Sequence, residues 1–242
     1  MMIEEELKAE LASMLDSVKS RILWNQETGQ PQPFTRQKGR GQLGLGPEKS
    51  DDVREEGLVG LEAIRAEMGD CQRCSLGALR KSLVFGVGNP KASLVFVGEA
   101  PGADEDREGE PFVGRAGQLL TKIIEAMGLA RRDVYICNII KCRPPGNRDP
   151  EAPEITACEP FLIKQLQAIA PRAICALGTF AAQTLLKKDI PISALRGRFH
   201  TYTGIKVMPT FHPAYLLRNP SAKKMVWEDV QMIMNELGIK KV

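Results

Sequence analysis

Apolar residues recur at helical spacing over residues 1–25 and then give way to a segment without periodicity. Ile3, Leu7 and Leu11 begin this repeat, and the acids between them suit a helix N-terminus. The pattern predicts an amphipathic helical extension, which either packs on its own domain or binds a protein partner. Residues 26–51 are rich in Gly, Pro and Gln, which predicts a flexible linker.

From residue 52 onward, short apolar runs alternate with helical patterns. The β-rich runs are Ser93–Gly98, Val134–Ile140, Ala173–Leu177 and Lys206–Thr210, and the helical patterns include Gly117–Met127, Glu154–Ala170 and Ala181–Lys188. This rhythm predicts one α/β domain over 52–242, a three-layer α/β/α sandwich with a central, mainly four-stranded parallel sheet. In such folds the ligand crevice lies at the carboxyl ends of the strands.

Composition and charge limit the class of protein without naming a function. The chain has 242 residues, 43% of them hydrophobic, which is typical of a globular protein, and its net charge of +3 permits a nucleic-acid partner without requiring one. The acidic start has no apolar stretch of the secretory kind, and nowhere do 18 apolar residues follow one another. We therefore expect a cytoplasmic protein with no membrane contact. We also expect it to be a monomer.

Six cysteines in a cytoplasmic chain indicate metal binding or catalysis before disulfides. Four of them are candidate thiolate ligands: Cys71, Cys74, Cys142 and Cys158. Cys137 and Cys175 lie within apolar runs, where cysteine is usually a small buried hydrophobe. A zinc ribbon normally shows two tight CxxC pairs, and only one is present here. The spacing leaves an iron–sulfur cluster, zinc and unliganded thiols as the alternatives.

Residues of distinctive chemistry follow the predicted strands. Four of them combine an acid, an aromatic ring, an amide and an imidazole: Glu99, Phe112, Asn138 and His212. The turn Gly98–Gly102 follows the first strand, and an acidic run that includes Glu105 comes next. His200, the other histidine, is expected to have a structural or surface role.

Five segments in order along the chain carry a family resemblance: GEAPGADED, PFVGRAGQLL, NIIKCRPPGNRDP, CEPFL and FHPAYLL. Together they resemble the motif set of the family 4, thermostable uracil-DNA glycosylases, and the match runs from about Cys71 to the C-terminus. The resemblance implies a DNA-repair enzyme that flips uracil out of DNA and hydrolyses its N-glycosidic bond, leaving an abasic site. It also implies a structural [4Fe–4S] cluster on the four candidate cysteines.

The resemblance further implies roles for the strand-end residues. Phe112 would stack on the uracil ring, Asn138 would bond O4 and N3–H, and His212 would donate to O2, where negative charge gathers as the bond breaks. Glu99 is the first candidate to orient the attacking water, and Glu105 is the second and would help to exclude the methyl group of thymine. The turn residues that complete the pocket would be Gly98, Ala100 and Gly102.

Contacts with DNA are expected from the segment after His212. Leu216 would wedge into the gap left by the flipped base, while Arg218 and Lys223 would hold phosphates. Arg143 would supply a second phosphate contact.

The turn and the basic loop distinguish this chain from other glycosylase types. Better-known uracil-DNA glycosylases have a GQDPYH turn, whose Asp and Tyr are replaced here by Ala100 and Gly102, a departure that family 4 shares. Relatives that capture DNA covalently have a GEQPG turn and a loop histidine, whereas this chain has GEAPG and no histidine in PPGNRDPEAPE. A non-catalytic or differently specific iron–sulfur DNA-binding member of the superfamily remains the alternative.

Overall fold

The computed structural model describes residues 52–240, so the predicted helical extension 1–25 and linker 26–51 lie outside the described residues. The strands are β1 (Val87–Gly88), β2 (Leu94–Gly98), β3 (Tyr135–Asn138), β4 (Ala173–Leu177), β5 (His200–Tyr202) and β6 (Ile205–Thr210). The helices are α1 (Asp52–Met68), α2 (Ala103–Glu108), α3 (Arg115–Ala126), α4 (Ala152–Ile169), α5 (Thr179–Leu186), α6 (Ile192–Leu195), α7 (Pro213–Arg218) and α8 (Lys223–Leu237).

The six strands form one sheet in the order β1-β3-β2-β4-β6-β5. The four central strands run parallel, whereas β1 and β5 pair antiparallel at the two edges. This arrangement confirms the predicted four-stranded parallel sheet. The edge strands were not predicted, because elements of two or three residues are too short to show a period-two pattern. His200 lies in β5, in agreement with its expected structural role.

The sheet separates two apolar cores, and alternate residues of each strand face opposite cores. Val95 and Val97 of β2 pack in the core that contains residues of α1, α4 and α5. Leu94 and Phe96 of the same strand pack in the core that contains residues of α3 and α8. Helices therefore cover both faces, which confirms the three-layer sandwich.

Among the helices that fall outside the predicted pattern, α2 and α8 do so for different reasons. Helix α2 lies on the acidic run, whose charged residues show no apolar period. Helix α8 does carry such a signal, because Val226, Val230, Ile233 and Met234 recur on one face and are buried. None of the helices within residues 52–240 has the length and apolar character needed to cross a lipid bilayer.

Strand β3 ends earlier than predicted, and this shortening shapes the ligand crevice. The N–H groups of Ile139 and Ile140 donate to the carbonyls of Gly98 (2.9 Å) and Glu99 (3.1 Å) beyond the end of β2. The chain segments that leave β2 and β3 are thereby joined at the carboxyl edge of the sheet, where the predicted site residues lie.

Candidate active site

A cavity of about 440 Å³ lies beyond the carboxyl ends of the parallel strands. This volume lies in the range of small-molecule sites. The predicted residues that line it are Glu99, Ala100, Gly102, Glu105, Phe112, Asn138, His212 and Arg218. Ala116, Pro144 and Asn147 also line it and were not predicted. They are small or polar residues in ordinary local contexts, so no pattern in the sequence distinguishes them.

The Asn138 side chain lines this cavity with an unsatisfied oxygen. Asn138 is only 2% exposed, and its Oδ1 has no hydrogen-bond partner among the described residues. A buried polar atom left unpaired costs about 1–3 kcal/mol, so a ligand that donates to it would recover that free energy. The arrangement suits a ligand with an N–H group at its edge.

The Phe112 ring lies beside Asn138 and is held there by a strained backbone. Phe112 has a φ of 56°, in the left-handed region that a bulky residue rarely adopts, at a cost of about 1–3 kcal/mol. The Arg131 guanidinium donates to the carbonyls of Phe112 (3.2 Å) and Pro111 (3.0 Å), which stabilises this conformation. A Cβ atom on Gly98 would collide with Asn138 Oδ1 and lie 2.6 Å from the Phe112 ring, so only glycine permits this approach.

The His212 imidazole faces the cavity in a defined protonation state. Its ring lies 5.5 Å from the Phe112 ring, centroid to centroid. The N–H of Ala214 donates to Nδ1 at 3.1 Å, so the proton of the neutral ring is on Nε2. Burial lowers the pKa of His212 to about 4; the charge of Glu105 opposes this shift and that of Arg218 adds to it. His212 is therefore a neutral hydrogen-bond donor at physiological pH.

A buried polar cluster behind His212 was not predicted. Thr210, two residues before the histidine, donates to the Asp229 carboxylate. The Arg196 guanidinium donates to both oxygens of Asp229, at 3.0 and 2.9 Å, and also lies over the Phe211 ring. This cluster fixes the chain entering His212. Its members are distant in sequence, so nothing local indicates the pairing.

The Glu99 carboxyl group titrates in the neutral range. Burial raises its pKa to about 7, and the nearby negative charge of Asp149 contributes to the shift. A group with this pKa can accept a proton near pH 7, as a general base must. Glu99 stays the predicted residue for orienting water.

The Glu105 carboxylate is bonded to the backbone of two loops. The N–H groups of Gly102 (3.0 Å), Val113 (3.0 Å) and Gly114 (3.1 Å) all donate to its carboxylate. These bonds tie the turn after β2 to the loop that carries Phe112. Glu105 thus positions these two loops, and its predicted part in orienting water and in excluding the methyl group of thymine stays a prediction.

The structure corrects one predicted DNA contact. Leu216 is 1% exposed and packs in the apolar core, so its predicted insertion into DNA is wrong. Its neighbour Leu217 is 40% exposed on the same short helix. The other predicted DNA contacts include Arg218 and Lys223, whose side chains are exposed. The third, Arg143, donates to Oδ1 of Asn147 at 2.7 Å, and Asn147 lines the cavity.

The four candidate cysteines line a second, smaller cavity: Cys71, Cys74, Cys142 and Cys158. Three of their sulfurs accept N–H bonds: Cys71 from Arg73 (3.4 Å), Cys142 from Arg80 (3.4 Å) and Cys158 from the backbone of Lys141 (3.3 Å). Within residues 52–240 no three His, Cys, Asp or Glu side chains converge closely enough for a single metal ion. Cys137 and Cys175 are buried in the two cores, as predicted.

Comparison with known proteins identifies the family. The sequence model of the uracil DNA glycosylase superfamily matches residues 85–231, more than half of the chain. The chain belongs to the uracil DNA glycosylase superfamily. The matched region includes the cavity-lining residues Glu99, Phe112, Asn138 and His212.

Within this superfamily the chain is similar to several type-4 members. It is 46% identical to the Type-4 uracil-DNA glycosylase of Saccharolobus solfataricus over 75% of this chain and 88% of that protein. It is 45% identical to the type-4 protein of Thermotoga maritima over 71% of this chain and 91% of that protein. The Type-5 uracil-DNA glycosylase of Pyrobaculum aerophilum is 34% identical over 53% of this chain and 64% of its own length. The predicted resemblance to family 4 is confirmed.

Proposed function

We propose that this protein is a DNA-repair glycosylase that removes uracil from DNA and leaves an abasic site. One observation carries the proposal: an unpaired, buried Asn138 oxygen, the Phe112 ring and a neutral His212 donor all face one cavity. Uracil offers an N–H donor, a flat ring and carbonyl acceptors, which match these three groups. Release of free uracil from a uracil-containing oligonucleotide tests the proposal.

Asn138 would select the base by its edge. Its Oδ1 accepts from uracil N3–H and its amide N–H donates to uracil O4. Cytosine presents a bare N3 and an amino group at the same places, so both contacts would be mismatched. Such a mismatch in a buried site is worth roughly 10⁴-fold in selectivity. Phe112 would stack on the ring after the base is flipped out of the duplex.

His212 would stabilise the leaving group. Cleavage of the C1′–N1 bond leaves its electron pair on uracil, with charge gathering on O2, and a cation on the sugar. The Nε2–H of the neutral imidazole donates to this oxygen as the charge develops. Water then adds to C1′, and Glu99 accepts the proton that the water loses.

The pKa of Glu99 predicts a pH dependence. The ionised carboxylate is the form that accepts a proton, and burial favours the neutral form, so kcat/KM should fall about tenfold per pH unit below pH 7. His212, with a pKa of about 4, adds no change between pH 5.5 and 8. A pH profile of kcat/KM for uracil release from single-stranded DNA measures this fall in activity below pH 7. The Glu99→Gln variant should lose this pH dependence, and the Glu110→Gln variant, changed at an exposed position, should retain it. A wild-type profile flat from pH 5.5 to 8 would contradict the role of Glu99.

Leu217, Arg218, Lys223 and Arg143 would contact the DNA. Leu217 replaces Leu216 as the apolar residue able to enter the space of the flipped base, because its side chain is exposed. The exposed arginine and lysine side chains would bind phosphates, a contribution that weakens as salt concentration rises.

The four cavity-lining cysteines would hold a [4Fe–4S] cluster. Four thiolates around one space, with N–H donors to three of the sulfurs, fit such a cluster. When bound, the cluster supplies a covalent link between chain segments and no step of the hydrolysis, which transfers no electron. Cys142 and Cys158 flank the loop whose Pro144 and Asn147 line the active-site cavity, so the link would hold that wall in place.

Replacing one of these cysteines should remove the iron. Cys158→Ala deletes a thiolate, so iron content should fall from about four atoms per chain to a small fraction of that value. Cys175→Ala deletes a thiol buried in the opposite core and should keep the full iron content. Iron and sulfide analysis of anaerobically purified protein makes the comparison. Equal iron in the two variants would rule out this ligand set.

A further inference from the structure

Lys141 is a buried cation between the two cavities. It is 1% exposed, and its Nζ donates to the backbone carbonyl of Asn138 at 2.7 Å. The residue also lines the cysteine cavity, and its backbone N–H donates to Cys158 Sγ. One residue therefore borders the site of the proposed cluster and binds the residue proposed to recognise the base.

The charge of Lys141 has no carboxylate to balance it within the described residues. None of the ion pairs formed among residues 52–240 includes Lys141, and its one hydrogen-bond acceptor there is the neutral Asn138 carbonyl. A buried ammonium without an anion costs several kcal/mol. The ionisable groups that feel its charge include the thiols of Cys137 and Cys158. The structure thus has a buried lysine side chain on a residue that lines the cysteine cavity.

We propose that Lys141 is a buried counter-charge of the iron–sulfur cluster, in addition to the Arg73 and Arg80 guanidinium groups that bond two of its sulfurs, and, through its ammonium group, the positioning residue for Asn138. Four thiolates give the cluster unit a net negative charge, which is what this buried cation requires. The ammonium also donates to the carbonyl of Asn138 and fixes the strand end from which the amide faces the base. The inference rests on the cluster proposed above.

The test compares variants that remove or keep the charge in the full-length, cluster-containing protein. Lys141→Met and Lys141→Gln are neutral, Lys141→Arg keeps the charge, and Lys122→Met makes the same change at an exposed position on α3. The first readout is the rate at which the cluster's visible absorbance bleaches in excess iron chelator. The second is KM and kcat for uracil release, and circular dichroism reports folding.

The neutral variants should bleach about tenfold faster than wild type, because groups next to metal ligands typically change metal binding by 10–100-fold. Their kcat/KM should fall by a similar factor. Lys141→Arg and Lys122→Met should bleach at about the wild-type rate. A folded neutral variant that bleaches like wild type overturns the proposal. If neither neutral variant folds, a Lys141→Arg variant that folds and keeps its iron supports the role of the positive charge. If none of the three Lys141 variants folds, the proposal is overturned in favour of a packing role for this side chain.

Wild-type measurements separate this inference from the proposals beneath it. A wild-type chain that binds no iron would remove the cluster and with it the role of Lys141. A wild-type chain that binds iron but releases no uracil would contradict the proposed glycosylase function. The bleaching comparison would still decide whether Lys141 balances the charge of the cluster.

Discussion

Asn138→Leu should lower kcat/KM for uracil release by roughly 10⁴-fold, the largest effect expected of a single substitution. Leucine has nearly the shape of asparagine, so the pocket keeps its volume while the O4 and N3–H of the bound uracil lose their partners. A site built to bind polar groups loses 10⁴–10⁵ when those groups are left unpaired. The buried, unpartnered Oδ1 of Asn138 marks it as such a site.

The control for this substitution is Asn235→Leu on the exposed face of α8. It repeats the chemical change away from the cavity and should leave kcat/KM within about twofold of wild type. Single-turnover assays under enzyme excess should be used, so that slow product release does not hide the chemical step. Residual activity in Asn138→Leu within tenfold of wild type would show that the base is recognised elsewhere.

His212→Ala should lower kcat by about 10²–10³-fold and change KM little. A preorganised donor that acts on charge present only in the transition state contributes this much to the rate and little to ground-state binding. The donor here is the Nε2–H, because Nδ1 already accepts the N–H of Ala214. Since burial keeps the pKa of His212 near 4, the loss should be the same at pH 6 and pH 8.

His200→Ala provides a matched control, because His200 is the other histidine of the chain. His200 lies in the edge strand β5 with its Nε2 2.8 Å from the carbonyl of Leu195, outside the cavity. Its replacement should cost stability at most and leave kcat unchanged. If both variants lose activity to the same extent, the defect reflects folding and not the loss of a donor at O2.

The fold was predictable from sequence because its signals are local. The apolar runs of the four parallel strands and the helical periods between them specify the layers, and the sheet then brings distant strand ends to one edge. Asn138 and His212, 74 residues apart, could be placed in one crevice on this basis alone.

Side-chain direction and long-range pairing could not be predicted in the same way. Leu216 and Leu217 are identical in type, and only the orientation of a short helix decides that Leu216 is buried and Leu217 exposed. No local pattern around Glu105 predicted that the folded loops direct three backbone N–H groups to its carboxylate. The partners of Asp229 and Lys141 likewise become neighbours only in the folded chain.

The most direct test of the central claim is an alkali-cleavage assay on a labelled oligonucleotide with one uracil, both single-stranded and opposite guanine. Thymine at the same position provides the substrate control, and Asn138→Leu and His212→Ala provide the enzyme controls. Strand breaks only at uracil with the wild-type protein, and their loss in both variants, are the result we predict. Binding of the oligonucleotide by an iron-containing wild-type protein without any alkali-sensitive site would contradict the catalytic account and favour a DNA-binding role without base removal.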